Sequence, residues 1–129
     1  MLAIDTNVVV RYLTGDHLQQ SAKAKALIAG HDVFVATTVL LESEWVLRSA
    51  YGFSGAAVAQ ALAGFAGLAR VQLEDAALAA RALGWAGQGM DFADALHLAK
   101  AEGCEAFVTF DRRCKRCADS LGGPDVRMP

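Results

Sequence analysis

The feature that most limits what this chain can become is an alternation. Short β-branched and apolar stretches, LAID (2–5), DVFVA (32–36), ARVQL (69–73) and AFVTF (106–110), are separated by longer segments with helical composition and punctuation. Strands with so much chain between them do not pair through tight hairpins. Connections of that length belong to parallel pairing, with the intervening helices packed on both faces of the sheet. The predicted class is therefore α/β.

The helices are bounded by readable signals. Residues 7–13 start one helix, and 17–29 form another, stopped by Gly30. Thr37 or Thr38 is predicted to cap a helix to about Ala50, ending near Gly52. Ser54 caps the next to about Gly67, Asp75 one to about Gly87, and Asp91 one from Phe92 to Glu102, stopped by Gly103. DRRCKRCADSL (111–121) reads as a helix ended by Gly122 and Gly123, and DVRM (125–128) as a last edge strand. There is no repeat, low-complexity stretch or linker, and the two prolines lie at the far C-terminus. A chain of 129 residues then reads as one domain, 1–129, with one core.

Composition narrows the function classes. The net charge of −2 means that contact with nucleic acid requires a local basic patch. No apolar run approaches the ~18 residues of a membrane span, and the opening MLAIDTNVVV has an acid and no basic leader. Three cysteines leave one over and make no disulfide framework, so a cytoplasmic location is expected.

The parallel topology also places the acids. In open parallel sheets, ligands bind at the carboxyl ends of the strands. Asp5 ends the first strand and Asp111 directly follows the 106–110 strand. Glu42 lies in the first turns of the helix after the second strand. Asp91 and Asp94 begin the helix that runs back before the 106–110 strand, so they too lie at the carboxyl edge. Glu42 has no base at helical spacing, whereas Glu44 has Arg48 four residues on and reads as an ordinary exposed ion pair. Asp91 sits where a cap belongs; Asp94 is one turn inside, where capping does not explain it. Each acid has a plain explanation by itself: Asp5 and Asp111 as caps, Asp94 as a complement to the helix dipole, Glu42 as a partly exposed acid. Four of them converging on one rim call for a positive partner. Carboxylate oxygens without a nearby His or Cys set suit magnesium or manganese, and such a site serves phosphodiester cleavage by activated water.

LAIDTN at the start, TTVLLESEWVLRSAYGF, MDFADALHLA and FVTFD, in this order and spacing, resemble the PIN-domain ribonucleases, and more narrowly the VapC toxins of bacterial VapBC toxin–antitoxin pairs. The resemblance runs over about residues 2–127. It implies a three-layer α/β/α fold with a central parallel sheet and an acidic magnesium or manganese site. By that resemblance the metal-holding catalytic acids are Asp5, Glu42, Asp94 and Asp111. Asp91 matches a more variable position, and Thr6, Asn7 and Thr109 are supporting polar groups. The resemblance further implies RNA as substrate, with tRNA and ribosomal RNA as target classes, a cognate antitoxin partner, and a homodimer.

Arg112, Arg113, Lys115 and Arg116, beside Asp111, read either as RNA-binding residues or as a solvated helix face. Trp45, Trp85 and Phe65 fall at helical apolar positions and read as core, and His97 as a packing histidine. Cys114 and Cys117 form a C-x-x-C inside a late basic helix, where incidental thiols are the plainer explanation than redox chemistry. A non-catalytic, magnesium-binding signalling module of receiver type is the alternative function. It needs an acid pair after the first strand and a lysine after the last; this chain has Thr6 and Asn7 after Asp5, and Arg127 in the last strand.

Overall fold

A computed structural model describes residues 1–129. In chain order the elements are β1 (Leu2–Ala3), α1 (Thr6–Thr14), α2 (Leu18–Gly30), β2 (Val33–Val35), α3 (Thr37–Ser49), α4 (Gly55–Ala66), β3 (Val71–Leu73), α5 (Ala76–Gly87), α6 (Phe92–Lys100), β4 (Phe107–Val108), α7 (Arg112–Ser120) and β5 (Val126–Arg127). All strand pairs are parallel, as the alternation predicts. β2 lies between β1 and β3, with Leu2 opposite Val33 and Val35 opposite Leu73. β4 pairs only with β5, Phe107 opposite Val126.

The expectation of one central sheet needs correction here. The strands hydrogen-bond into a three-stranded sheet, β1-β2-β3, and a separate two-stranded sheet, β4-β5. Strands of two or three residues support only short ladders, so packing of helices onto the strands and onto each other carries most of the fold.

That packing follows the helical period. On α6, Phe92, Ala95, Leu96 and Ala99 are buried, leaving Asp91, His97 and Lys100 exposed. On α4 the buried positions are Val58, Ala59, Leu62 and Phe65. Together with Val33 and Val35 of β2, Val9 of α1 and Leu40 of α3, these side chains form one continuous apolar cluster. Each large one contributes roughly 1.5–3 kcal/mol when fully buried.

The helix starts match the predicted signals, with one exception. Asp5, Ser54, Asp75, Asp91 and Asp111 accept backbone N–H groups as caps, and His17 does the same for α2. Neither Thr37 nor Thr38 caps α3: Ala36 occupies the cap position and has no side chain for the task. Glu74, just after β3, supplies the missing acceptor, its Oε1 taking the Thr37 N–H at 2.9 Å. α1 stops at Gly15, whose φ of 65° is the left-handed conformation that turns the chain toward α2. No helix is long and apolar enough to cross a membrane.

Candidate active site

The acids sit at strand ends and helix starts. Asp5 follows β1, and its Oδ1 accepts the Val8 N–H at 3.2 Å. Asp111 follows β4; its Oδ1 takes the N–H groups of Arg113 and Cys114 at 2.9 and 3.2 Å. The Asp111 N–H itself donates to the Thr109 hydroxyl at 3.0 Å, which fixes the turn. Asp91 caps α6, its Oδ2 accepting the Asp94 N–H at 3.1 Å. Capping therefore does occupy these three acids, but it uses one oxygen of each. Oδ2 of Asp5 and of Asp111 accept no hydrogen bond from the protein, so these two carboxylates are oriented and still half available, while Oδ1 of Asp91 faces Arg48 at 4.0 Å.

Two groupings result. In the first, the buried Thr6 hydroxyl donates to Oε1 of Glu42, tying the start of α1 to α3 beside Asp5. In the second, Asp91, Asp94 and Asp111 share one electrostatic neighbourhood. Burial, then the charges of Asp91 and Asp111, push the Asp94 carboxyl above its ordinary range, and His97 partly opposes them. The buried Cys114 thiol senses the same field. It is raised to about 11, by burial first and then by Asp94, Asp111, Cys117 and Asp91. A thiol held that high is not a nucleophile at neutral pH, which agrees with the plain explanation of the C-x-x-C. No three His, Cys, Asp or Glu side chains stand close enough together to share one ion. Asp5 is carried by β1 and Asp111 by β4, and those strands are not hydrogen-bonded to one another. Asn7 is exposed at the start of α1 and lines a groove with Arg11 and Gln20.

Several residues stand differently from their sequence reading. Glu44, expected as the exposed acid, is buried at 4% exposure, while Glu42 is exposed. The inward stripe of α3 is Leu40, Ser43, Glu44 and Leu47, so Glu44 falls on it and Glu42 does not. Arg48 answers the buried charge, its Nε donating to Glu44 Oε1 at 2.6 Å. The Arg48 guanidinium also stands 4.0 Å from Asp91 Oδ1. Glu44, Arg48, Asp91 and Arg113 together line a cavity of about 540 Å³ beside the second acid group. Arg48 was thus missed as a neighbour of the site; the Glu44–Arg48 spacing was visible, its depth was not. Trp45 is 58% exposed rather than core, Phe65 is buried, and Trp85 packs partly against the core under the guanidinium of Arg81. His97 is exposed and acts on Asp94 through its charge rather than through packing.

Of the four basic residues after Asp111, Lys115 is spent internally: its Nζ donates to Asp119 at 3.1 Å and to the Val126 carbonyl at 3.0 Å. Arg113 faces the Glu44–Asp91 cavity. Arg112 and Arg116 line a different groove, with Phe110 and Met128. The largest cavity, about 720 Å³ between α4 and α5, is walled mostly by alanine and glycine and carries no titratable side chain, so its size alone does not make it the site.

Parallel strands alternating with helices, with acids at strand ends and helix starts, define an α/β domain. The chain belongs to the PIN domain family, whose model matches residues 2–120. No curated protein and no solved structure matches it. PIN domains are generally nucleases and typically bind divalent metal ions. The donors here suit such an ion in kind: hard carboxylate oxygens at helix starts, one of them raised by burial and then by the charge of its neighbours. Magnesium commonly takes one or two carboxylates and completes its shell with water and substrate phosphate.

Proposed function

We propose that this chain is a magnesium- or manganese-dependent endoribonuclease. The observation that carries the reading is the Asp91–Asp94–Asp111 neighbourhood, where carboxylates repel one another and keep oxygens unused by the protein. Asp94 and Asp111 would hold the cation, with Asp5 and Glu42 completing the acidic rim. A bound divalent ion would supply an activated water and offset charge building on the phosphate. Thr6 holds the Glu42 carboxylate in place, and Thr109 holds the turn that presents Asp111. Asp91 fixes the first turn of α6 and with it the position of Asp94. Arg113, in the cavity that Asp91 lines, and Arg112 and Arg116, in the neighbouring groove, would supply positive charge for the RNA backbone.

The motifs that resemble VapC proteins extend the reading to a toxin, acting in the cytoplasm on tRNA or ribosomal RNA as one domain and a homodimer, and restrained by a VapB-like antitoxin. Membership of the PIN family leaves the receiver-type alternative without support. The test is direct. Asp5→Ala and Asp94→Asn should abolish RNA cleavage and growth arrest while circular dichroism stays that of the parent. Cleavage that persists undiminished in a chelator would overturn the metal-dependent mechanism. Growth arrest not relieved by co-expressing the protein encoded next to this gene would overturn the antitoxin partnership.

A further inference from the structure

Phe110 stands between Thr109 and Asp111 and is 83% exposed. An aromatic ring so open to water, next to a candidate metal ligand, has no packing role. It lines a groove of about 520 Å³ with Arg112, Lys115, Arg116, Asp119 and Met128. Arg112 and Arg116 are four apart on α7, so they share one face. Neither has an ion-pair partner, whereas Lys115 in the same wall is neutralised by Asp119. The groove therefore combines a free π-face with two unpaired, planar guanidinium groups, in a chain whose net charge is −2.

We propose that this groove is a nucleotide subsite for single-stranded RNA, in which a base stacks on Phe110 and the adjoining phosphates pair with Arg112 and Arg116. The inference rests on the nuclease reading for its substrate and adds the residues that seat it. Base stacking on an aromatic side chain tolerates any base, because every base has a π-face, and it requires the base to be out of a duplex. Guanidinium groups suit phosphate oxygens through paired N–H donors. Since Phe110 and Arg112 flank Asp111 in the chain, a nucleotide seated here brings its neighbouring phosphodiester to the acids.

The test is binding of a fluorescent single-stranded RNA to the full chain in chelator, so that no cleavage occurs. Phe110→Ala should weaken binding about tenfold, as loss of one stacked base does, and Phe110→Trp should restore it. Arg112→Ala with Arg116→Ala should lower the slope of log affinity against log salt by about 1.4, two phosphate contacts at ~0.7 each. The same RNA annealed into a duplex should be indifferent to Phe110→Ala. Wild-type affinity and salt slope in these variants, or no binding of single-stranded RNA by the parent, would overturn the subsite. Asp94→Asn separates the two ideas. If it destroys cleavage while the groove variants bind normally, the nuclease stands and the subsite falls. If it cleaves normally, the nuclease reading falls, and the binding data still decide the groove.

Discussion

At the scale of single residues, Asp94 carries a charge that the fold itself disfavours. Its carboxyl is raised above the ordinary 3.8 because burial and two neighbouring carboxylates penalise its charge. Linkage gives the sign. A group whose folded pKa is raised contributes stability that is fully present below the unfolded pKa and lost as pH rises through the folded one. At neutral pH the ionised Asp94 therefore destabilises the metal-free protein, although it lies in the first turn of α6, where negative charge suits the helix dipole. Asp94→Asn should consequently raise the melting temperature in chelator at pH 7, by a gain of about 0.5 kcal/mol given the solvent screening of a partly exposed group. The gain should disappear near pH 3, where the parent's Asp94 is protonated. A lower melting temperature for the variant at pH 7 would contradict this. The sequence reading puts the candidate acids on one rim because strand ends and helix starts share a side in a parallel fold; the structure couples Asp94 to Asp91 and Asp111 and ties Glu42 to Thr6, two groupings that no local signal announces. Burial of individual residues was harder to see: Glu44 and Glu42 differ by two positions, and only the phase of the stripe through Leu40 and Leu47 decides which one faces the core. Phe110 was hidden similarly, absorbed into an apolar strand although Phe107, Val108, Thr109 and Phe110 alternate between less and more exposed.

At the scale of elements, the order of strands and helices was readable because each signal is local. An acid or serine at a helix start, a glycine at its end and a β-branched run between them need only a few neighbouring residues. The start of α3 was misread for the opposite reason. Its cap comes from Glu74, thirty-seven residues further along the chain, and no local rule reports a partner that distant. This exception carries its own prediction. Because Ala36 offers no side-chain acceptor, Glu74→Ala leaves the Thr37 N–H without a protein partner and removes negative charge from the positive end of α3. A loss of roughly 0.5–2 kcal/mol is expected, as for other cap deletions, readable as a lower urea midpoint with an unchanged m-value. Glu74→Gln, which keeps the acceptor, should recover most of it. If Glu74→Ala unfolds at the parent's midpoint, the long-range cap contributes nothing.

For the whole molecule, what matters is how the two sheets relate to the acids. Which strands pair could not be read from the sequence, because register and neighbour depend on how helices pack, and the strands are too short to dictate it. The consequence is chemical. β1 leads to Asp5 and β4 to Asp111, and each of these strands has a hydrogen-bonded neighbour on one side only. An ion held by acids from both sheets, with Glu42 and Asp94 from α3 and α6, would favour arrangements in which these elements sit closer. A ligand shifts a conformational equilibrium by its difference in affinity for the two states, and it raises stability by its binding to the folded form. Manganese at one hundred times its dissociation constant should therefore stabilise the chain by about 2.7 kcal/mol. Amide exchange should slow at residues 2–5 and 107–111 together, not at one strand alone. Asp94→Asn should remove both effects, while Phe110→Ala, outside the acid rim, should remove neither. Slowing confined to residues 107–111 would mean that the ion is held by Asp94 and Asp111 without Asp5, and that the two sheets stay apart when it binds.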